Sequence, residues 1–112
     1  MMSDAQAPLP LMQDHCTAKV SRASPQQIEH WLKQLSGWHI HQGELVGDFS
    51  FSDFDATMAF VNTVAALARQ ENHHPDMAIS YNRCRVSWST HSVGALSRND
   101  FICAARLSRT GE

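Results

Sequence analysis

Glu71-Asn72-His73-His74-Pro75-Asp76 joins an apolar helical run to a pair of strand-like segments. Upstream of it, Phe54, Met58, Val61, Ala65 and Ala68 recur at helical spacing, and Phe60, Val64 and Leu67 widen the stripe. The spacing predicts a helix that opens at Ser52-Asp53-Phe54-Asp55, with a hydroxyl cap and early acids at the positive end of the helix dipole. It must stop before Pro75, because proline disfavours a helical residue ahead of it. As the longest apolar run it is expected to be the main packing element, with Ala65, Ala66 and Ala68 small enough to lie close to a sheet. Downstream, residues 77–81 and 85–90 read as a hairpin turning at Asn82-Arg83. Met77, Ile79 and Tyr81 alternate, as do Val86 and Trp88.

The flanks repeat this scheme. Residues 38–42 and 45–51 form an earlier predicted hairpin around Gly43-Glu44. Trp38 and Ile40 share one face there, and Leu45, Gly47, Phe49 and Phe51 share a face of the second strand. Before it, Ser24-Pro25-Gln26-Gln27 has the marks of a capping box with proline at the first helical position. Ile28, Trp31, Leu32 and Leu35 continue that helix, and Gly37 is the expected stop. After Gly94, Ser97 caps a third helix with Asp100 at its third position, and Phe101, Ile102, Ala105 and Leu107 supply buried contacts. Residues 1–14 show no periodicity and read as a loosely ordered tail from which Leu11 or Met12 docks. Residues 15–112 read as one domain. The order α-β-β-α-β-β-α predicts an α+β fold, a four-stranded antiparallel sheet with helices packed on one face.

The 112 residues are 43% hydrophobic, enough for a modest core. A net charge of -2, with seven histidines neutral, provides no general attraction for nucleic acid or an anionic membrane. Cys16, Cys84 and Cys103 are widely spaced without a CxxC pair, which signals neither a disulfide framework nor a zinc ribbon. Reduced structural thiols in a cytoplasmic protein are the expectation. Residues 1–12 do not read as a signal peptide, and no stretch approaches the ~20 apolar residues that span a bilayer.

Histidine exchanges protons near neutrality. His73 and His74 sit at a helix end that Pro75 breaks, and the hairpin that follows can return His91 to the same end of the sheet. Three imidazoles would then line one pocket, with Ser89 and Thr90 as hydrogen-bonding neighbours. Taken singly, each of these histidines is more often a structural residue, and His15, His30, His39 and His41 are read that way. As a set, His73, His74 and His91 suit either a metal or metal-free acid–base work. Adjacent histidines are awkward ligands, and HExxH is absent, so acid–base work is the expectation and no metal is assigned. Trp38, Phe51, Tyr81 and Trp88 offer faces for a flat ring, although such residues are more often core.

His73-His74-Pro75, Tyr81, Trp88-Ser89-Thr90-His91, Gly94, Leu96-Ser97 and Asp100 together resemble the pterin-4a-carbinolamine dehydratases. Gly37-Trp38 and Asp48-Phe49-Ser50-Phe51 are similar to that family's first hairpin, and the resemblance spans residues 20–108. It implies removal of water from 4a-hydroxytetrahydropterin to give quinonoid dihydropterin, which recycles the pterin cofactor of aromatic amino-acid hydroxylases, phenylalanine hydroxylase above all. It implies no metal or organic cofactor, and a homodimer or homotetramer. His73, His74 and His91 fall on the family's active-site histidines, and Asn72, Ser89, Thr90 and Ser92 on its substrate-binding positions. Asp100 matches its late aspartate, which supports the site or caps the helix. Arg69 and Ser92 stand where the family often has acids. Two further roles come with the resemblance: a binding module like the dimerisation cofactor of a homeodomain transcription factor, and an accessory function in molybdopterin metabolism.

Overall fold

The computed structural model describes residues 11–110. Three helices and four strands follow the expected order: α1 (Pro25–Leu32), β1 (Trp38–His41), β2 (Glu44–Ser50), α2 (Phe54–Glu71), β3 (Asp76–Ser80), β4 (Arg83–Trp88) and α3 (Arg98–Thr110). The strands form one antiparallel sheet in the order β1-β2-β4-β3. The helices pack on the face that carries Trp38, Leu45, Val86 and Trp88, which join Phe60, Val64, Phe101 and Leu107 in the core. The α+β prediction therefore holds.

Local chemistry explains the elements and shifts several boundaries. At α1 both halves of the capping box form: Gln27 N–H donates to Ser24 Oγ, and Ser24 N–H donates to Gln27 Oε1. The helix ends at Leu32, so Gly37, at φ +86°, is not its cap but the turn into β1. The first hairpin turns on Gln42-Gly43 rather than Gly43-Glu44. Both residues have positive φ, as a two-residue turn matched to strand twist requires. Asp53, not Ser52, caps α2, accepting from the Ala56 N–H at 2.8 Å. The second hairpin pairs Ser80 with Arg83, which places its turn at Tyr81-Asn82.

The main packing element also differs from expectation. α2 is longer, but α3 is the inner helix, with Phe101 through Ala105 all buried. Its other side is covered by the short turn Leu11–Gln13, where Leu11 is buried. Residues 11–14, expected in the tail, are thus docked, whereas residues 1–10 lie outside the described residues. On α2, Phe54 is exposed and stacks on Tyr81, because the helix start overhangs the end of the second hairpin. Gly47 gives Trp38 its place: an added Cβ would sit 2.8 Å from the indole ring.

Candidate functional site

α2 ends in a left-handed turn. Asn72 has φ 52° and ψ 44°, and the N–H groups of Asn72 and His73 both donate to the Ala68 carbonyl. Asparagine tolerates this conformation better than most residues. The turn releases His73-His74-Pro75 from the helix and leads into β3. Asp76 pairs with Ser87, so the start of β3 and the end of β4 lie at one end of the sheet. Beyond Trp88, Thr90 bridges to Ala95 around the short turn His91–Val93. The two histidine segments consequently face each other across a cavity of about 350 Å³.

Asn72, His73, His74, Ser89, Thr90, His91 and Ser92 all line this cavity. His74 and His91 are exposed, while the His73 side chain retains only 12% of its surface. His73 lies parallel to Trp88, with ring centroids 5.6 Å apart and planes 9° apart. Its Nε2 hydrogen-bonds Asp100 Oδ1 at 2.6 Å. The other carboxylate oxygen of Asp100 accepts from Thr90 Oγ1 at 2.8 Å and from the Ser97 N–H at 3.0 Å. Ser97 Oγ lies 2.7 Å from Thr90 Oγ1 and extends the chain of hydroxyls. Asp100, fully buried, therefore caps α3 and anchors His73 at once. With both carboxylate oxygens accepting, the His73 proton on this side belongs on Nε2, leaving Nδ1 with a lone pair.

None of the four aromatics considered for ring stacking lines the cavity. Trp88 is fully buried behind His73, Trp38 is buried over Gly47, Phe51 packs on Phe60, and Tyr81 lies at the far end of the sheet. Ser92 is an exposed part of the lining, whereas Arg69 is exposed and takes no part in it. Among the described residues, no three His, Cys, Asp or Glu side chains are grouped to hold a metal ion.

The remaining wall comes from a strap that sequence reading passed over: Thr17, Ala18 and Val20, with Asn99 behind them. The strap is pinned at successive residues. Asp14 pairs with Arg98 at 2.7 Å. His15 Nδ1 and the Cys16 N–H donate to the two oxygens of Glu71, at 2.9 and 2.7 Å. Asn99 then exchanges two hydrogen bonds with the Thr17 backbone. The only signals for this were the unassigned Glu71 and a run of polar residues without periodicity. Burial raises the Glu71 pKa, but the hydrogen bonds from Cys16 and His15 outweigh it, and the carboxyl is held below its ordinary range. Its contribution to stability is therefore present above the ordinary carboxylate pKa and is lost as pH falls through the lowered folded value. At neutral pH, Glu71→Gln is expected to reduce the unfolding free energy by about 1–2 kcal/mol. Urea unfolding should show that difference shrinking toward zero in strong acid.

Fold and site together define the class: a small α+β protein with an imidazole-lined cavity at one end of its sheet. Residues 21–110 match the family model described as "Pterin 4 alpha carbinolamine dehydratase". The chain belongs to the pterin-4a-carbinolamine dehydratase family. It is 47% identical over 93 residues to a protein of Nitrosomonas eutropha provisionally named pterin-4-alpha-carbinolamine dehydratase, covering 82% of each chain. A provisionally so named protein of Stenotrophomonas maltophilia is 42% identical over 109 residues, covering 93% of this chain and 94% of its own. The crystal structure of a transcriptional coactivator/pterin dehydratase from Brucella melitensis superposes with a TM-score of 0.78 at 26% identity, over 81% of this chain and 99% of that one. A pterin dehydratase-like RuBisCO assembly factor of the alpha-carboxysome shares the fold, with a TM-score of 0.58 at 20% identity, over 68% of this chain and 90% of its own.

Proposed function

We propose that the chain dehydrates 4a-hydroxytetrahydropterins to quinonoid dihydropterins by histidine acid–base catalysis. The observation that carries this reading is the convergence of His73, His74 and His91 on one cavity, with His73 braced by a buried carboxylate. In the reaction the C4a–O bond breaks, the hydroxyl leaves as water, and N5 gives up its proton as the C4a=N5 bond forms. One group must donate a proton and another must accept one. His73 suits the base: Nδ1 accepts the proton, and Asp100 stabilises the imidazolium that results. His74 and His91, both exposed, suit protonation of the departing hydroxyl. Asn72, Ser89, Thr90 and Ser92 offer polar groups to the pterin, with Thr90 already engaged to Asp100. No metal or organic cofactor is invoked.

The regenerated pterin would serve an aromatic amino-acid hydroxylase, which family membership supports. Turnover of a chemically generated carbinolamine pterin by the purified chain tests the central claim. Absence of any acceleration over buffer would leave a pterin-binding or protein-interaction role. Among the described residues, no helix is long and apolar enough to cross a membrane.

A homo-oligomer is part of the reading. β3 is an edge strand, and Ile79, Tyr81 and Phe54 near it are 45%, 65% and 47% exposed. Exposed apolar side chains along an open edge favour pairing with another chain. Ile79→Lys is expected to shift the chain toward monomer in light scattering. An unchanged mass would place self-association elsewhere.

A further inference from the structure

Cys16 and Cys103 lie 87 positions apart in the chain, yet their sulfurs are 3.5 Å apart. Cys16 is half-buried on the strap, and Cys103 is fully buried on α3. The Cys16 thiol also reaches the Asn99 carbonyl at 3.6 Å. Thr17 and Ala18, the next two residues, line the cavity. A bond between these sulfurs would tie the cavity wall covalently to the inner helix.

We propose that Cys16 and Cys103 form a redox modification site, oxidised by a hydroperoxide to an intramolecular disulfide that fastens the strap to α3. Exposure sets the order of events. An oxidant in solvent reaches Cys16 and not Cys103. The Cys16 thiolate attacks a peroxide oxygen and the O–O bond breaks. The leaving oxygen takes up the thiol's proton as water (or alcohol), and Cys16 becomes a sulfenic acid. The Cys103 sulfur then attacks the Cys16 sulfur. The S–S bond forms as the S–OH bond breaks, and the hydroxyl leaves with the Cys103 proton as water. Two thiols lose two electrons and the peroxide gains them.

The hydrogen bond with Cys16 and burial both hold the Cys103 thiol protonated, which suits a resolving partner that is inert until a sulfenic acid forms beside it. The sulfurs must close to about 2.05 Å. The strap supplies that movement, since α3 is packed around its circumference. Cys84, buried on β4, serves as an internal control.

The full chain is treated with hydrogen peroxide, alkylated after denaturation, and mapped as non-reduced peptides. Two of the three thiols are expected to resist alkylation, with one Cys16–Cys103 linked peptide two hydrogens lighter than the pair. Dithiothreitol should reverse the change, and the oxidised chain should melt at a higher temperature than the reduced one. Cys16→Ser should abolish the linkage and leave Cys103 fully alkylatable. Stalling at a Cys16 sulfinic acid with Cys103 free, a linkage through Cys84, oxidation of Cys103 in the Cys16→Ser chain, or no gain in melting temperature would each overturn the proposal. None of these readouts depends on what the cavity binds.

Discussion

His73→Ala is expected to lower kcat for dehydration of a 4a-hydroxytetrahydropterin by about 100- to 10,000-fold, the usual contribution of a positioned acid or base. The substitution also removes the partner of Asp100 Oδ1. A buried acceptor left without its donor costs about 1–3 kcal/mol, so the variant should remain folded but melt earlier. His73→Gln separates the two effects, because its amide N–H is able to donate to Asp100 while the ring nitrogen is gone. Stability should recover in part and activity should not. His91→Ala makes the complementary case. The His91 side chain is exposed in the short turn His91–Val93, so turnover should fall without a comparable loss of stability. Full activity in both alanine variants would remove His73 and His91 from the reaction.

Asp100→Asn is the second large effect, and it tests geometry rather than charge loss alone. One oxygen of Asp100 already accepts from Thr90 and from the Ser97 N–H, and the asparagine carbonyl fits that position. The asparagine NH2 then points at His73 Nε2. Two donors cannot face each other, so the ring must turn to the tautomer with its proton on Nδ1. The lone pair proposed to take the N5 proton is lost, and the new amide stabilises no imidazolium. A fall in kcat of about 100- to 10,000-fold is expected with the fold retained. The informative readouts are the pH dependence of kcat and the His73 ring nitrogen shifts in NMR. A variant with reduced kcat but an unchanged tautomer would make Asp100 a helix cap alone.

Much of this site could be read before the fold was known, for identifiable reasons. Capping pairs such as Ser24 with Gln27 act within one turn, and strand alternation at Val86 and Trp88 needs only neighbouring residues. The convergence of His73, His74 and His91 follows from a short hairpin that begins at the helix break. The first hairpin's turn moved by one residue because Gln42 adopts a positive φ that its side chain does not advertise. The inner position of α3 was missed because its small residues, Cys103, Ala104 and Ala105, resemble a weak stripe until Leu11 covers their far side. Trp88 was open to reading as a stacking platform, yet its neighbour proved to be His73. The strap stayed hidden because its anchors, Glu71 and Asn99, are remote in sequence, and each polar residue on it is unremarkable alone.

That remoteness has a consequence for the order in which the molecule is built. The contacts of Cys16 with Glu71 and of Thr17 with Asn99 span 55 and 82 positions. The sheet forms largely from hairpins between near neighbours, which close small loops at low entropic cost. Docking residues 14–18 instead requires α2 and α3 to be in place first, since α2 supplies Glu71 and α3 supplies Arg98 and Asn99 as anchors. The histidines can therefore be assembled while one side of their cavity is still open. A ligand that touches the strap would favour its closure over the fraying that a peripheral, polar-anchored segment permits, and protection of the Cys16 and Thr17 amides from exchange would record how far the chamber has been completed.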